Sequence, residues 1–171
     1  AFLDDRGFFS PLFEEKAFSS HGLHSRFERV NSSLSHQKGT LRGMHYQLPP
    51  HREVKVVRAI KGAIWDVVLD LRPDSETFGV HDGYELSAEN RKMLYLPEGC
   101  AHGFLTLSPE SEVLYLASSR YAPESERGVR WNDPTFNILW PSQPSILSEK
   151  DGNARLFDPE YHLGIPNGEM P

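Results

Sequence analysis

From Phe27 to Ala117 the chain is divided into short β-like runs by turns rich in Gly, Pro, Ser, Asn and Asp. The runs are Phe27–Ser33, Gly39–Gln47, Glu53–Ile60, Ala63–Leu71, Gly79–Leu86, Lys92–Leu96, Gly103–Leu107 and Glu112–Ala117. Strands this short and this regularly spaced confine the fold to an all-β sandwich or barrel. In the clearest run, Ala63, Trp65, Val67 and Leu69 share one face under period-2 alternation, which leaves Asp66 and Asp70 on the other. An acid in mid-strand faces solvent unless the strand lines a barrel that holds a ligand.

The flanks are less regular. Asp5-Arg6-Gly7 reads as a turn, Phe8-Phe9 as a short strand stopped by Pro11, and Glu14–Ser20 as one helical turn. Beyond Tyr121 prolines accumulate, a short helix is expected near Ser148–Ala154, and the chain from about 155 reads as a loop-rich, weakly structured tail. With no internal repeat or linker, the 171 residues are expected to form one domain. No apolar run approaches the roughly 18 residues that a membrane span needs. Cys100 is the single cysteine, so no internal disulfide forms, and a cytoplasmic location without a membrane partner is the expectation. Between Gly99 and Ala101 it has no activating charge and is expected to pack as a small apolar residue. The net charge of −6 argues against a nucleic-acid partner. A small anionic ligand would need a local basic cluster, for which Arg6, Arg29, Arg42 and Lys55 are candidates.

Several chemistries find no support. A metal-binding jelly roll would present His-x-His followed by a glutamate, whereas His45 is followed by Tyr46, Gln47 and Leu48, and His51 lies beyond two prolines. No nucleophile elbow and no phosphate-cradling glycine loop is present. Proton chemistry remains. His45, His102, Lys55, Asp66, Tyr115 and Asp151 all fall in or beside strands or glycine-rich turns. Histidine is the natural base near neutral pH, tyrosine can return a proton, and lysine or a second histidine can stabilise an enolate oxygen. Each residue also has a plainer reading: His45 as a satisfied core histidine, Tyr115 as core, His102 as a turn residue, Asp151 as a solvated loop acid. The residues alone leave both readings open.

Seven runs go further: GTLRGMHYQLPP, DVVLDLR, ETFG, LSAENRK, LPEGCAHGFLTLS, LYLASSRYAPESERGVRWNDP and LSEKDG. In this order they closely resemble the dTDP-4-dehydrorhamnose 3,5-epimerase family, over most of the chain. The resemblance implies a cupin-like jelly-roll barrel without cofactor or metal, working as a homodimer with exchanged strands on a nucleotide-diphosphate sugar. It also implies inversion at C3 and/or C5 of a 4-keto-6-deoxy sugar. By motif, His45 corresponds to the base, Asp151 to its carboxylate partner and Tyr115 to the acid on the opposite face. Lys55 and His102 would stabilise the enolate at O4, with Asp66 orienting His102. Arg6, Asn31 and Arg42 match positions that hold the diphosphate or sugar, and Tyr121, Gln47 and Arg29 fall in the ligand-contacting part of the pattern.

There are two departures. Ser10 and Pro11 stand where the family has an aromatic and a Glu, and Arg29 stands where it tends to have Gln. They keep other nucleotides (CDP, GDP or UDP), a single inverted carbon, and a non-catalytic sugar-nucleotide-binding jelly roll in play.

Overall fold

Each β-like run pairs with its neighbours in antiparallel register, giving a cupin-like jelly roll. The structure, a computed structural model, describes residues 2–166. In chain order the elements are β1 (Phe2–Asp4), β2 (Gly7–Phe9), α1 (Glu15–Ser20), β3 (Arg29–Ser35), β4 (Leu41–Gln47), β5 (Lys55–Lys61), β6 (Ala63–Asp70), β7 (His81–Ser87), β8 (Leu94–Leu96), β9 (Cys100–Thr106), β10 (Ser111–Ala117), β11 (Glu126–Gly128), α2 (Glu149–Gly152) and α3 (Pro159–Leu163). One sheet has the order β3-β10-β5-β8 and the other β11-β4-β9-β6-β7, while β1 and β2 form a separate hairpin.

Two cores explain the burial pattern. Val57, Ala59, Leu96 and Val113 of the first sheet pack against Ile64, Leu86 and Phe104 of the second, closing the barrel interior. On the far face of the second sheet, Met44, Tyr46, Val67, Leu69 and Ala101 pack beneath Val129, Phe136 and Ile138 of the C-terminal segment. The central strands β4, β9 and β6 of the five-stranded sheet are therefore largely buried on both faces. Trp65, Val67 and Leu69 serve the outer core, so Asp66 points into the barrel, the exceptional case for an acid in mid-strand.

Three elements depart from expectation. Strands β1 and β11 are not among the expected runs, and the stretch expected to be a weakly structured tail carries α3. Asp158 caps that helix by accepting the Glu160 N–H, Pro159 opens it, and Gly164 closes it in the left-handed region at φ +70°. His162 is fully buried, with Nε2 3.2 Å from Gly128 O, and its carbonyl accepts the Tyr46 hydroxyl at 2.8 Å. These bonds fasten the segment to β4 and β11. The remainder of the expected tail, 167–171, lies outside the described residues. No described helix is long and apolar enough to cross a membrane.

Candidate active site

Simple alternation cannot turn both Arg42 and His45 toward one face, because they are three residues apart. The register resolves this. Arg42 lies opposite Phe104 and His45 opposite His102, so β4 carries one residue more than β9 between those pairs. This β-bulge returns His45 to the barrel interior and sends Met44 to the outer core. Gly43 makes it possible: its φ is +133°, and a Cβ there would collide with the Cα of Gly103 on β9.

His45 Nε2 is 2.6 Å from Asp151 Oδ1. Asp151 is buried and sits in α2, whose cap Ser148 accepts the Asp151 N–H at 3.0 Å. A parallel bridge between Thr40 and Ile146 fixes the approach of this segment to the start of β4. Burial pushes the Asp151 carboxyl up, but hydrogen bonds with His45, Ser148 and the Gly43 backbone more than offset it and hold the group below the usual range. Asp151 is therefore an anion, and with Nε2–H donating to it, neutral His45 keeps its lone pair on Nδ1.

The second histidine repeats the arrangement. His102 Nε2 lies 2.9 Å from both oxygens of Asp66, which is fully buried, a diagonal pair between β9 and β6. Lys55 and Tyr115 come from β5 and β10 of the facing sheet. His45, His102, Asp151, Arg42, Lys55 and Tyr115 line one cavity of about 540 Å³. Phe104, Ile146 and Leu147 supply apolar wall, and Ser33 and Lys150 further polar groups, none of which was singled out from the sequence. Arg42 is steadied by Ser35 Oγ and Leu34 O, both at 3.1 Å.

The expected ligand contacts divide. Arg29 does not line the cavity; it binds Glu53 and the Ser119 carbonyl, each at 2.7 Å. Gln47 is likewise structural, since its amide donates to His51 O at 2.7 Å and Arg120 O at 3.1 Å and accepts the Ala122 N–H at 2.8 Å. Asn31 lies opposite Tyr115 in the β3–β10 register, and its buried Nδ2 has no partner among the described residues. Tyr121 donates to Glu126 at 2.8 Å. Arg6 sits in the β1–β2 turn, paired with Asp4 at 2.6 Å and absent from its own chain's cavity. Cys100 is buried, and burial, followed by the nearby Asp70 charge, pushes its thiol up to about 11. Among the described residues no three His, Cys, Asp or Glu side chains gather as a metal-ligand set.

Comparison with known proteins identifies the family. The family model for dTDP-4-dehydrorhamnose 3,5-epimerase matches residues 1–158. A relative of that name from Shigella flexneri is 45% identical over 164 residues, covering 95% of this chain and 90% of its own. The crystal structure of a Bacillus anthracis dTDP-4-dehydrorhamnose 3,5-epimerase with TDP and pyrophosphate bound superposes with a TM-score of 0.89 at 42% identity, covering 91% of this chain and 89% of its own. A 3'-monoepimerase from Streptomyces bikiniensis in complex with dTDP-quinovose gives 0.85 at 36% identity, covering 94% and 82%. A barrel with a His–carboxylate pair on one wall and a tyrosine and lysine on the other, matched along nearly its whole length by these proteins, belongs to the dTDP-4-dehydrorhamnose 3,5-epimerase family.

Proposed function

We propose that the protein inverts C3 and C5 of a dTDP-linked 4-keto-6-deoxy sugar in deoxysugar biosynthesis. The observation that carries this reading is the His45–Asp151 pair at 2.6 Å, facing Tyr115 from the opposite sheet of one cavity. The C4 ketone acidifies the protons on C3 and C5. His45 Nδ1 removes one, and its new charge is balanced by Asp151. The electron pair moves onto O4, where the Lys55 ammonium and the His102 ring, held by Asp66, meet the enolate. Tyr115 then protonates carbon from the other side, and the imidazolium returns a proton to the phenolate through solvent. The ring now has the opposite configuration at that carbon.

Binding has its own support. A cavity of about 540 Å³ suits the sugar. Arg42 at its rim is a donor suited to phosphate oxygens. The TDP held by the Bacillus anthracis relative favours thymine as the base. The partner of this chain is a second copy. Its β1–β2 hairpin pairs with neither sheet and exposes Phe2, Leu3, Phe8 and Phe9, which a strand exchange would cover, carrying Arg6 to the neighbouring cavity.

The test is deuterium wash-in from D₂O, followed by NMR on dTDP-4-keto-6-deoxyglucose. The wild type should label C3 and C5. His45→Ala should lose about 10²–10⁴-fold in rate while staying folded. Tyr115→Phe should still label carbon but with retained configuration, because the histidine returns the deuteron from the side it left. No labelling by the wild type would remove the reading, and labelling of one carbon alone would convert it to a mono-epimerase.

A further inference from the structure

Lys55 carries a long, flexible stem, and something has to aim it. Glu53 lies two residues earlier in extended backbone, so both side chains leave on the inner face. Its carboxylate is almost fully buried, with one oxygen 3.0 Å from Lys55 Nζ and the other 2.7 Å from an Arg29 amino nitrogen. The register explains how one carboxylate reaches both. Lys55 lies opposite Ala117 on β10, and Ala117 lies opposite Arg29 on β3, so the two cations flank a small residue over which Glu53 fits. Arg29 is fixed in turn by the Ser119 carbonyl. Of the three, only Lys55 lines the cavity.

We infer that Glu53 is a positioning residue for Lys55, and that Arg29 preserves the positive charge the reaction needs there. This rests on the assignment of Lys55 to the enolate. An ammonium with three donors gives one to Glu53 and keeps two for the cavity. The carboxylate fixes those two before substrate arrives, so the ordering of the lysine stem falls on folding and not on the reaction. A lone Glu53 would also cancel the lysine's field at O4. With Arg29 behind it the cluster carries two positive charges against one negative, and a net positive charge faces the enolate. The role of Arg29 is thus electrostatic and acts at a distance, without ligand contact.

The experiment is a cycle on the full protein, with kcat, KM and melting temperature measured for deuterium wash-in into dTDP-4-keto-6-deoxyglucose. Glu53→Gln strands Arg29 against an amide and should lower kcat about 10- to 100-fold with KM little changed. Arg29→Gln leaves the Glu53–Lys55 pair neutral and should lower kcat about 10-fold, as expected for a unit charge close behind the site at an effective dielectric near 20. The double variant Arg29→Gln/Glu53→Gln gives Lys55 an uncharged acceptor with no competing cation and restores the net positive charge, and should recover most of kcat. It also gives a folded sample if Glu53→Gln alone is unstable. In a Lys55→Ala background, Glu53→Gln should not lower the residual rate further, because its role runs through the lysine, whereas Arg29→Gln, which acts through its charge, should still lower it. Arg29→Gln with unchanged kcat, a double variant no better than the worse single, or an equal loss for Glu53→Gln with and without Lys55 would each overturn the inference. Full activity in Lys55→Ala would instead remove the role given to Lys55 itself.

Discussion

Asp66 and Asp70 leave β6 on the same face, four residues apart, yet the structure gives them different tasks. Asp66 answers to His102 on the neighbouring strand β9. Asp70 answers to its own following loop, accepting from the Arg72 guanidinium at 2.6 Å and from Ser75 and Thr77 hydroxyls at 2.7 Å. Burial pushes the Asp70 carboxyl up, but these donors, led by Arg72, hold it well below the ordinary carboxylate range. Asp70→Asn should therefore destabilise the fold by about 2 kcal/mol at pH 7, the scale of hydrogen bonds to a charged group. The pH dependence has a definite sign. Between the low native value and the roughly 3.9 of an unfolded aspartate, the unfolded chain binds the extra proton. The stabilisation is then complete above about pH 5 and fades as the pH falls through that window. Urea unfolding at pH 7 and at pH 3 checks it: the gap between wild type and variant should shrink at pH 3. A gap that grew instead would contradict the assignment. Deuterium wash-in should survive Asp70→Asn at neutral pH, since none of its partners touches the cavity.

At the level of elements, the bulge between β4 and β9 decides which side chains meet the substrate. A methyl group on Gly43 would collide with Gly103 Cα and would have to adopt φ +133°. Gly43→Ala should cost at least about 2 kcal/mol, the scale of a strained backbone position. Gly103→Ala meets Arg42 O at 2.9 Å and Gly43 Cα at 3.1 Å, both backbone, and should act in the same direction. Below their melting temperatures both should lose about 10²-fold in wash-in rate, because a shift of about 1 Å at His45 is enough. Normal activity in a folded Gly43→Ala protein would mean that the bulge does not set His45. The bulge also marks the limit of what was legible. The strands could be read from β-branched alternation, and His45, Tyr115 and Lys55 with them, since each lies within a run. Alternation has no means of registering an inserted residue, so the shared face of Arg42 and His45 was visible only in the pairing. Helix α3 was legible but passed over: Asp158-Pro159 and Gly164 are its start and stop signals. Asp151 looks like a solvated acid because its partner lies 106 residues away. Arg29 and Gln47 sit on strands beside the site, and nothing in their local sequence reveals that their hydrogen bonds go to the scaffold.

For the molecule as a whole, the β1–β2 hairpin is a surface that a single chain leaves unfinished. Phe2, Leu3 and Phe9 are each at least 70% exposed, and Val30 on the edge strand β3 is 66% exposed. Apolar side chains clustered this way belong against a partner, and strand exchange between two copies would use the hairpin and a free sheet edge together. The same exchange would account for Arg6, which is paired with Asp4 and absent from its own cavity. If the hairpin of one copy completes the site of the other, each cavity needs His45 from one chain and Arg6 from its partner. That dependence can be measured by complementation. Arg6→Ala should raise KM and His45→Ala should remove turnover, each as a dimer by light scattering. When the two are unfolded together and refolded, mixed dimers form in which one cavity carries both changes and the other carries neither. Turnover at low substrate should then exceed that of the two proteins refolded separately and combined. With Arg6 serving its own chain, every cavity would keep one lesion and no gain would appear. A gain therefore requires exchange, because no arrangement within a single chain reunites the two intact residues.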